Sequence, residues 1–244
     1  MDLTKRKDAA AIAQMEAFAR ERDLPIVRTD KGRLNSCCGN RPHQGVVLQA
    51  EPLETVPLTG PPPQGDGPPP VWLALDEVTD PQNLGALLRS AYFLGVDGVI
   101  VSAKNTAPLS PTVSKASAGA MELMTVHSAR NMVRWLGSAR AEGWQVLGTA
   151  LEQSITPDEA GMSQPTILVL GSEGRGLRTS VLRECDAVVR VPRRKSAAAT
   201  AGAGGADNSF LVDSLNVSVA GALLMQSLLA ARDAMAPRDA TSST

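Results

Sequence analysis

A glycine-rich loop with one acidic residue is the first stretch of this sequence that could do chemistry. Residues 166–176 are Thr-Ile-Leu-Val-Leu-Gly-Ser-Glu-Gly-Arg-Gly. The apolar run Ile167–Leu170 predicts a buried strand. Glycines allow a ligand to approach the backbone closely, and open α/β sheets bind nucleotide-like ligands where a strand ends in such a loop. The pattern therefore predicts a nucleotide-type site beside Glu173, with an ordinary strand-to-helix turn as the alternative.

A second candidate stretch is Asp-Pro-Gln-Asn-Leu-Gly-Ala-Leu-Leu-Arg, residues 80–89. It follows a predicted strand, and Asn83 and Arg89 lie in the first turns of a helix predicted over residues 83–94, which a glycine ends. Arg89 interrupts an apolar run, and a long cation there needs a partner or the mouth of a pocket. The alternative is a surface helix with a solvated arginine.

The third stretch is Ser-Leu-Asn-Val-Ser-Val-Ala, residues 214–220. It provides two hydrogen-bonding side chains, Ser214 and Asn216, at a helix start, and plain helix capping is the alternative interpretation. The helix predicted over residues 216–232 is apolar on more than one face. Such a helix is buried inside the protein or against a second subunit.

The elements that must position these residues alternate between strand and helix, which predicts an α/β fold with a parallel sheet covered on both faces. The predicted strands are residues 71–75, 99–101, 123–126, 145–147, 167–170 and 188–191. Helices are predicted over residues 83–94, 111–118, 131–142 and 216–232.

Composition bounds the function classes. The chain has 244 residues, of which 43% are hydrophobic, and this excludes wholesale disorder. Its net charge of −1 means that any RNA contact must come from local basic patches. No apolar run reaches the length of a membrane span. The three cysteines lack metal-ligand spacing, so we expect no metal site and a reducing compartment.

The sequence divides at a proline-rich stretch, residues 57–70, which predicts a semi-rigid linker. Residues 1–56 before it predict a small α/β piece, with a helix over residues 4–22 and strands near Ile26–Val27 and His43–Leu48. Residues 71–235 form the second predicted domain. Within it, residues 193–213 have the composition of a flexible insert, and residues 236–244 that of a disordered tail.

The three motifs together resemble the signature motifs of the SPOUT superfamily of RNA methyltransferases, and within it the TrmH-type ribose 2′-O-methyltransferases. The agreement in order, residue type and spacing extends over residues 71–232. The runs ALDEVTDPQNLGALLRSAYFLGVDGV, SKASAGAME and SLNVSVA are most similar to the mitochondrial large-subunit rRNA methyltransferases. The run GNRPHQGVVLQAEPL resembles the end of an L30e-like RNA-binding domain, here without its usual first strand and helix.

The resemblance implies a parallel sheet with a C-terminal deep trefoil knot (the SPOUT fold), preceded by a truncated L30e-like piece. It also implies that loops of the knot bind S-adenosylmethionine (SAM), largely through backbone groups. The residues that it assigns to the SAM site are Leu170, Gly171, Gly176, Val191 and Leu215. An apolar slot with main-chain hydrogen bonds suits an adenine.

The catalytic residues that the resemblance assigns are Asn83, Arg89, Glu173, Ser214 and Asn216. The implied reaction is in-line methyl transfer to the 2′-hydroxyl of a guanosine in mitochondrial large-subunit rRNA, by a homodimer located in the mitochondrion. The family gives Arg89 the role of base. A guanidinium stays protonated far above neutral pH, so Arg89 could instead orient the hydroxyl or a phosphate, with Glu173 and Asn83 fixing its rotamer.

Three other functions stay open at this point. A tRNA ribose methyltransferase of the same superfamily would carry the same motifs. A non-catalytic RNA-binding factor in ribosome assembly could retain the fold. A dinucleotide-binding oxidoreductase is disfavoured, because position 191, twenty residues after Gly171, is a valine rather than the acid that would bind a ribose.

Overall fold

The structure is a computed structural model that describes residues 9–65, 67–151, 154–192 and 214–235. The chain forms two compact units, the first ending at Glu51 and the second beginning at Pro52. The predictions for the insert 193–213 and the tail 236–244 lie outside the described residues, as does the start of the predicted N-terminal helix. Within the described ranges, no helix is long and apolar enough to cross a bilayer.

The first unit contains two helices, α1 (Ala9–Glu21) and α2 (Lys31–Cys37). Asp30 caps α2 by accepting a hydrogen bond from the Arg33 backbone N–H at 3.0 Å. The strands predicted near residues 26–27 and 43–48 are wrong, because both segments are irregular. A strand is stabilised by a neighbouring strand, and within its described residues this unit offers none.

The second unit is built on a seven-stranded sheet in which every adjacent pair of strands is parallel. The strands are β1 (Val56–Pro57), β2 (Val71–Leu75), β3 (Gly98–Ser102), β4 (Val126–Ala129), β5 (Gln145–Thr149), β6 (Thr166–Leu170) and β7 (Ala187–Val189). Their order across the sheet is β1-β4-β3-β2-β6-β5-β7, so β2 and β6 are central neighbours. This confirms the predicted parallel α/β sheet.

Helices cover both faces of the sheet. They are α3 (Pro81–Leu94), α4 (Pro111–Ala116), α5 (Ala120–Leu123), α6 (Met132–Ala141), α7 (Pro157–Ala160), α8 (Thr179–Leu182) and α9 (Val217–Met235). Alternate residues of β2 belong to two separate cores: Leu73 and Leu75 pack in the core with α3 and α9, and Trp72 and Ala74 pack in the core with α6. The two-sided burial explains why β2 is apolar at every position.

Several predicted boundaries shift in the structure. The strand predicted over residues 123–126 begins only at Val126, because residues 120–123 form α5. The strand predicted over residues 188–191 is Ala187–Val189, so Val191 lies beyond its end. The helices α5, α7 and α8 went unpredicted because four residues are too few to show a helical period.

Candidate active site

Helix α3 places the first predicted motif. Asp80 caps the helix by accepting from the Gln82 backbone N–H at 2.9 Å, and Pro81 occupies the first turn. Leu84, Leu87, Leu88 and Ala91 of α3 are buried in the core, and Asn83 is buried with them at 6% exposure. Six residues later on a different face of the helix, Arg89 is exposed.

The loop after β6 folds back tightly on itself. The backbone N–H of Ser172 donates to the Gly176 carbonyl at 3.1 Å, and the Gly176 N–H donates back to the Ser172 carbonyl at 2.9 Å. A Cβ placed on Gly171 would lie 2.3 Å from the Gly176 carbonyl, so no side chain fits at this position. Gly174 and Gly176 have φ of 86° and 67°, which favours glycine. Glu173 therefore sits at the tip of a closed five-residue turn.

Three side chains from the three predicted motifs meet in one hydrogen-bonded cluster. Asn83 Nδ2 donates to Glu173 Oε2 at 2.7 Å. Asn216 Nδ2 donates to Glu173 Oε1 at 2.6 Å and to Asn83 Oδ1 at 3.0 Å. We call these three residues the Asn–Glu–Asn cluster. It joins the end of β6 to the starts of α3 and α9.

The same cluster fixes the orientation of the Asn216 amide. Asn216 Oδ1 accepts from the Ser218 backbone N–H at 2.9 Å and from Ser218 Oγ at 2.6 Å. The amide oxygen thus points to the helix start and the amide nitrogen points to the cluster. The helix-capping interpretation of Asn216 is correct, and the same side chain also bonds the residues predicted to be catalytic.

Arg89 and Ser214 stand differently. Arg89 makes no ion pair with any residue in the described ranges, so the expectation that Glu173 and Asn83 fix its rotamer is wrong for the single chain. The reason is that Glu173 and Asn83 bond each other and Asn216. Ser214 is exposed and precedes α9, two residues before Asn216.

The residues assigned to the SAM site occupy the ends of the same elements. Leu170 is 1% exposed at the end of β6, and Gly171 and Gly176 close the loop that follows. Val191 packs on the core that includes Leu170, and Leu215 is 49% exposed next to Asn216. Because β6 and β7 run parallel, Leu170, Gly171 and Val191 lie toward the carboxyl edge of the sheet.

An ion pair at this edge, between a buried aspartate and an arginine whose side chain is 42% exposed, was missed by sequence reasoning. Arg178 Nε donates to Asp76 Oδ2 at 2.9 Å, and Arg178 Nη2 donates to Asp76 Oδ1 at 2.5 Å. The Asp76 side chain is fully buried, and its carboxylate raises the pKa of the Arg178 guanidinium. An acid directly after β2 and an arginine directly after the glycine loop were the available signals.

Other reactive side chains do not join the cluster. Burial raises the pKa of the Cys185 thiol to about 12, so this thiol is protonated and poorly nucleophilic at neutral pH. Burial also lowers the pKa of His127. Among the described residues, no group of His, Cys, Asp or Glu side chains could bind a metal ion.

Comparison with known proteins identifies the family. The model of the SpoU rRNA methylase family matches residues 70–199, and a model described as RNA 2′-O ribose methyltransferase substrate binding matches residues 3–56. The mitochondrial rRNA methyltransferase 1 of Homo sapiens is 38% identical over 234 residues, covering 90% of this chain and 63% of the human protein. This chain therefore spans less than two thirds of that relative.

A bacterial relative and a solved structure are also rRNA methyltransferases. The 23S rRNA (guanosine-2′-O-)-methyltransferase RlmB of Pseudomonas syringae is 33% identical over 230 residues, covering 93% of this chain and 85% of that protein. The AdoMet-bound rRNA methyltransferase of Sinorhizobium meliloti has the same fold, with a TM-score of 0.65, 24% identity and coverage of 93% and 78% of the two chains. On these matches, the chain belongs to the SpoU rRNA methylase family.

Proposed function

We propose that this protein is a SAM-dependent methyltransferase that methylates the ribose 2′-hydroxyl of a guanosine in mitochondrial large-subunit rRNA. The observation that carries the proposal is the Asn–Glu–Asn cluster, which joins three polar motifs at the carboxyl edge of the sheet. The relatives support the substrate, since one is a mitochondrial rRNA methyltransferase and another is a 23S rRNA (guanosine-2′-O-)-methyltransferase.

The residues proposed to bind SAM fit such a ligand. Leu215 and Val191 offer apolar surface, and the Gly171–Gly176 turn presents backbone rather than side chains. Ligand sites of this kind, apolar with a few main-chain polar groups, suit an adenine. SAM supplies an electrophilic methyl group when bound.

The polar residues would prepare the hydroxyl for attack. A ribose hydroxyl is a weak nucleophile, so it must be aligned and must lose its proton during transfer. Arg89 carries a guanidinium, which is suited to stabilise the developing negative charge on the oxygen or to bind a flanking phosphate. The Asn–Glu–Asn cluster would fix the loops that surround the ribose hydroxyl. Ser214 adds a hydroxyl beside Leu215.

A homodimer would bring Arg89 of one subunit to the Asn–Glu–Asn cluster of the other subunit. On α3, the exposed Arg89 lies one turn from Phe93, which is 85% exposed. On α9, which packs on α3, Val219 and Leu223 are 47% and 46% exposed. Large apolar side chains exposed on two adjoining helices are typical of a protein interface. We therefore propose that these helices pair in a homodimer and that Arg89 of one subunit serves the cluster of the other.

The finer parts of the fold are also proposals. The trefoil knot is supported by the packing of α9 on α3, α7 and β6, and by the contact of Asn216 with the glycine loop. The L30e-like character of the first unit and its role in binding RNA are supported by the family model that matches residues 3–56. Mitochondrial location is supported by the name of the human relative.

A methylation assay with two arginine variants tests the activity. Purified protein with labelled SAM and large-subunit rRNA should give one 2′-O-methylated guanosine. Arg89→Ala should lower the rate by about a hundredfold, the typical effect of losing a charge-stabilising group, while SAM binding persists. Arg134→Ala, an exposed arginine on the other face of the sheet, should leave the rate unchanged.

The outcomes separate the alternatives. Methylation of tRNA rather than rRNA would change the substrate, and RNA binding without SAM binding would indicate a non-catalytic assembly factor. A normal rate in Arg89→Ala would refute its role. Mixing Arg89→Ala and Glu173→Ala proteins should restore part of the activity if Arg89 acts across the dimer, and no recovery would place the arginine in its own subunit's site.

A further inference from the structure

Asp76 contacts both ends of the glycine loop. At one end, the Asp76 backbone N–H donates to the carbonyl of Leu170, the last residue before the loop, at 2.8 Å. At the other end, the Asp76 carboxylate accepts two hydrogen bonds from Arg178, the residue that follows Leu177. One residue after β2 thus fixes the entry and the exit of a loop that begins about a hundred residues later.

The carboxylate is satisfied only within this network. Its side chain is fully buried, and Ser102 Oγ also donates to Asp76 Oδ1 at 3.1 Å. In a second acid, Glu77, the Oε1 atom lies 3.4 Å from Arg178 Nη1 and accepts a hydrogen bond from Asn105 Nδ2 at 3.1 Å. Removing the guanidinium would leave a buried carboxylate without its counter-charge, which proteins tolerate poorly.

The loop is also held at its tip, where Glu173 accepts hydrogen bonds from Asn83 and Asn216. It is closed by the backbone pair between Ser172 and Gly176, and its one large apolar side chain, Leu177, is 7% exposed in the core. Arg178 occupies the position before α8, yet its side chain bonds Asp76 rather than the helix start. A bidentate guanidinium fixes direction as well as distance, which an ammonium group does not.

We propose that Asp76 and Arg178 are positioning residues that set the conformation of loop 171–177, and through it the position of Glu173 and the backbone that receives SAM. The consequence for SAM rests on the proposed function, whereas the effect on the loop does not. The pair acts through the loop, and neither residue is assigned a contact with substrate.

The experiment compares Arg178→Met, the double variant Asp76→Asn with Arg178→Met, and the control Arg183→Met. Arg183 is an exposed arginine five residues further along, with no ion pair among the described residues. The single variant leaves a buried charge and should lower the urea midpoint of unfolding. The double variant removes both charges, so no buried carboxylate is left without its counter-charge, and its midpoint should recover.

Two readouts on the double variant decide the proposal. Amide hydrogen exchange of the peptide covering residues 171–178 should accelerate by about tenfold or more without ligand, because losing a charged hydrogen bond favours opening of the loop by about that factor. SAM affinity, by calorimetry, should fall by about the same factor. The Arg183→Met protein should match the wild type in both.

The outcomes are distinguishable. Unchanged exchange in a stable double variant overturns the positioning role whether or not SAM binds. Faster exchange with normal SAM affinity also overturns it, because the loop would then not govern the cofactor site. If the wild type itself binds no SAM, the proposed function fails, and the exchange result alone still tests the role of the pair in shaping the loop.

Discussion

In the described contacts, the acids at the amino edge of the sheet accept backbone N–H groups as well as arginine side chains, whereas the carboxylates at the carboxyl edge accept from side chains. At the amino edge, Asp97 and Asp186 each precede a strand and accept a backbone N–H of the neighbouring strand: Asp97 from Val71 at 2.7 Å and Asp186 from Val146 at 2.8 Å. At the carboxyl edge, Asp76 and Glu173 accept from side chains on other loops.

This difference separates stability from the proposed chemistry. An acid that completes the hydrogen bonding of a strand stabilises the sheet first of all. Acids that bond side chains from distant segments fix how loops meet, which is what a site assembled from three motifs requires. We expect damage at the carboxyl edge to remove activity beyond any loss of stability, and damage at the amino edge to do the reverse.

The largest expected effect comes from comparing two asparagine caps. Asn216 caps α9 and belongs to the Asn–Glu–Asn cluster, whereas Asn131 only caps α6, accepting from the Arg134 N–H at 3.1 Å. Each change to alanine should cost about 1 kcal/mol of unfolding free energy. Asn216→Ala should also lower methyl transfer by about a hundredfold, while Asn131→Ala should not.

Urea unfolding and initial rates measured on the same preparations check this prediction. Equal rates for the two variants, at equal stability, would mean that Asn216 is a cap and nothing more. They would also remove the main support for assigning chemistry to the cluster.

A glycine pair gives the next largest effect. Gly171→Ala places a methyl group against the Gly176 backbone, so the turn cannot close as it does now. Forcing an atom into such a space costs about 1–3 kcal/mol, and we expect SAM affinity to fall by about tenfold or more. At Gly67, nothing lies within 4 Å of an added Cβ, so Gly67→Ala should bind SAM normally.

Calorimetric titration of both variants with SAM measures the difference. A Gly171→Ala protein with wild-type affinity would show that the loop can open without harm. The carboxyl edge would then be less dependent on loop geometry than its hydrogen bonds indicate.

Local patterns in the sequence predicted much of this edge. Apolar runs located the central strands, and the resemblance to the SPOUT superfamily assigned Asn83, Glu173 and Asn216 to one site. The structure does bring these three side chains into contact.

The side-chain partners could not be predicted in the same way. Asp76 and Arg178 are 102 residues apart, and their contact depends on β2 and β6 being neighbours. Hydrophobic period places a residue on a face but does not order the strands. Likewise, the sequence did not predict that Asn83 and Glu173 bond each other and Asn216, which leaves Arg89 exposed and without either of them as a partner. In the first unit, β-like composition near residues 43–48 predicted a strand, but a strand forms only beside another.

The smallest expected effect is at the amino edge. Asp97 Oδ2 accepts from the Val71 N–H, and also from the Arg232 NH1 group at 3.2 Å. Asp97→Ala removes both hydrogen bonds and leaves a buried backbone donor at the start of β2, so the free energy of unfolding should fall by about 1–2 kcal/mol. The matched control is Asp233→Ala, because Asp233 also pairs with Arg232 but is 67% exposed and should contribute almost nothing.

The rate of methyl transfer by folded Asp97→Ala protein should stay close to that of the wild type, because Asp97 lies at the opposite edge from the cluster. Rates taken well below the unfolding temperature, with the folded fraction fixed by circular dichroism, make this measurement. A tenfold loss of rate in fully folded protein would show that the C-terminal end of α9, which Arg232 ties to Asp97, transmits its position to Asn216 at the other end. Stability and proposed chemistry would then share one helix, and the separation between the two edges would fail.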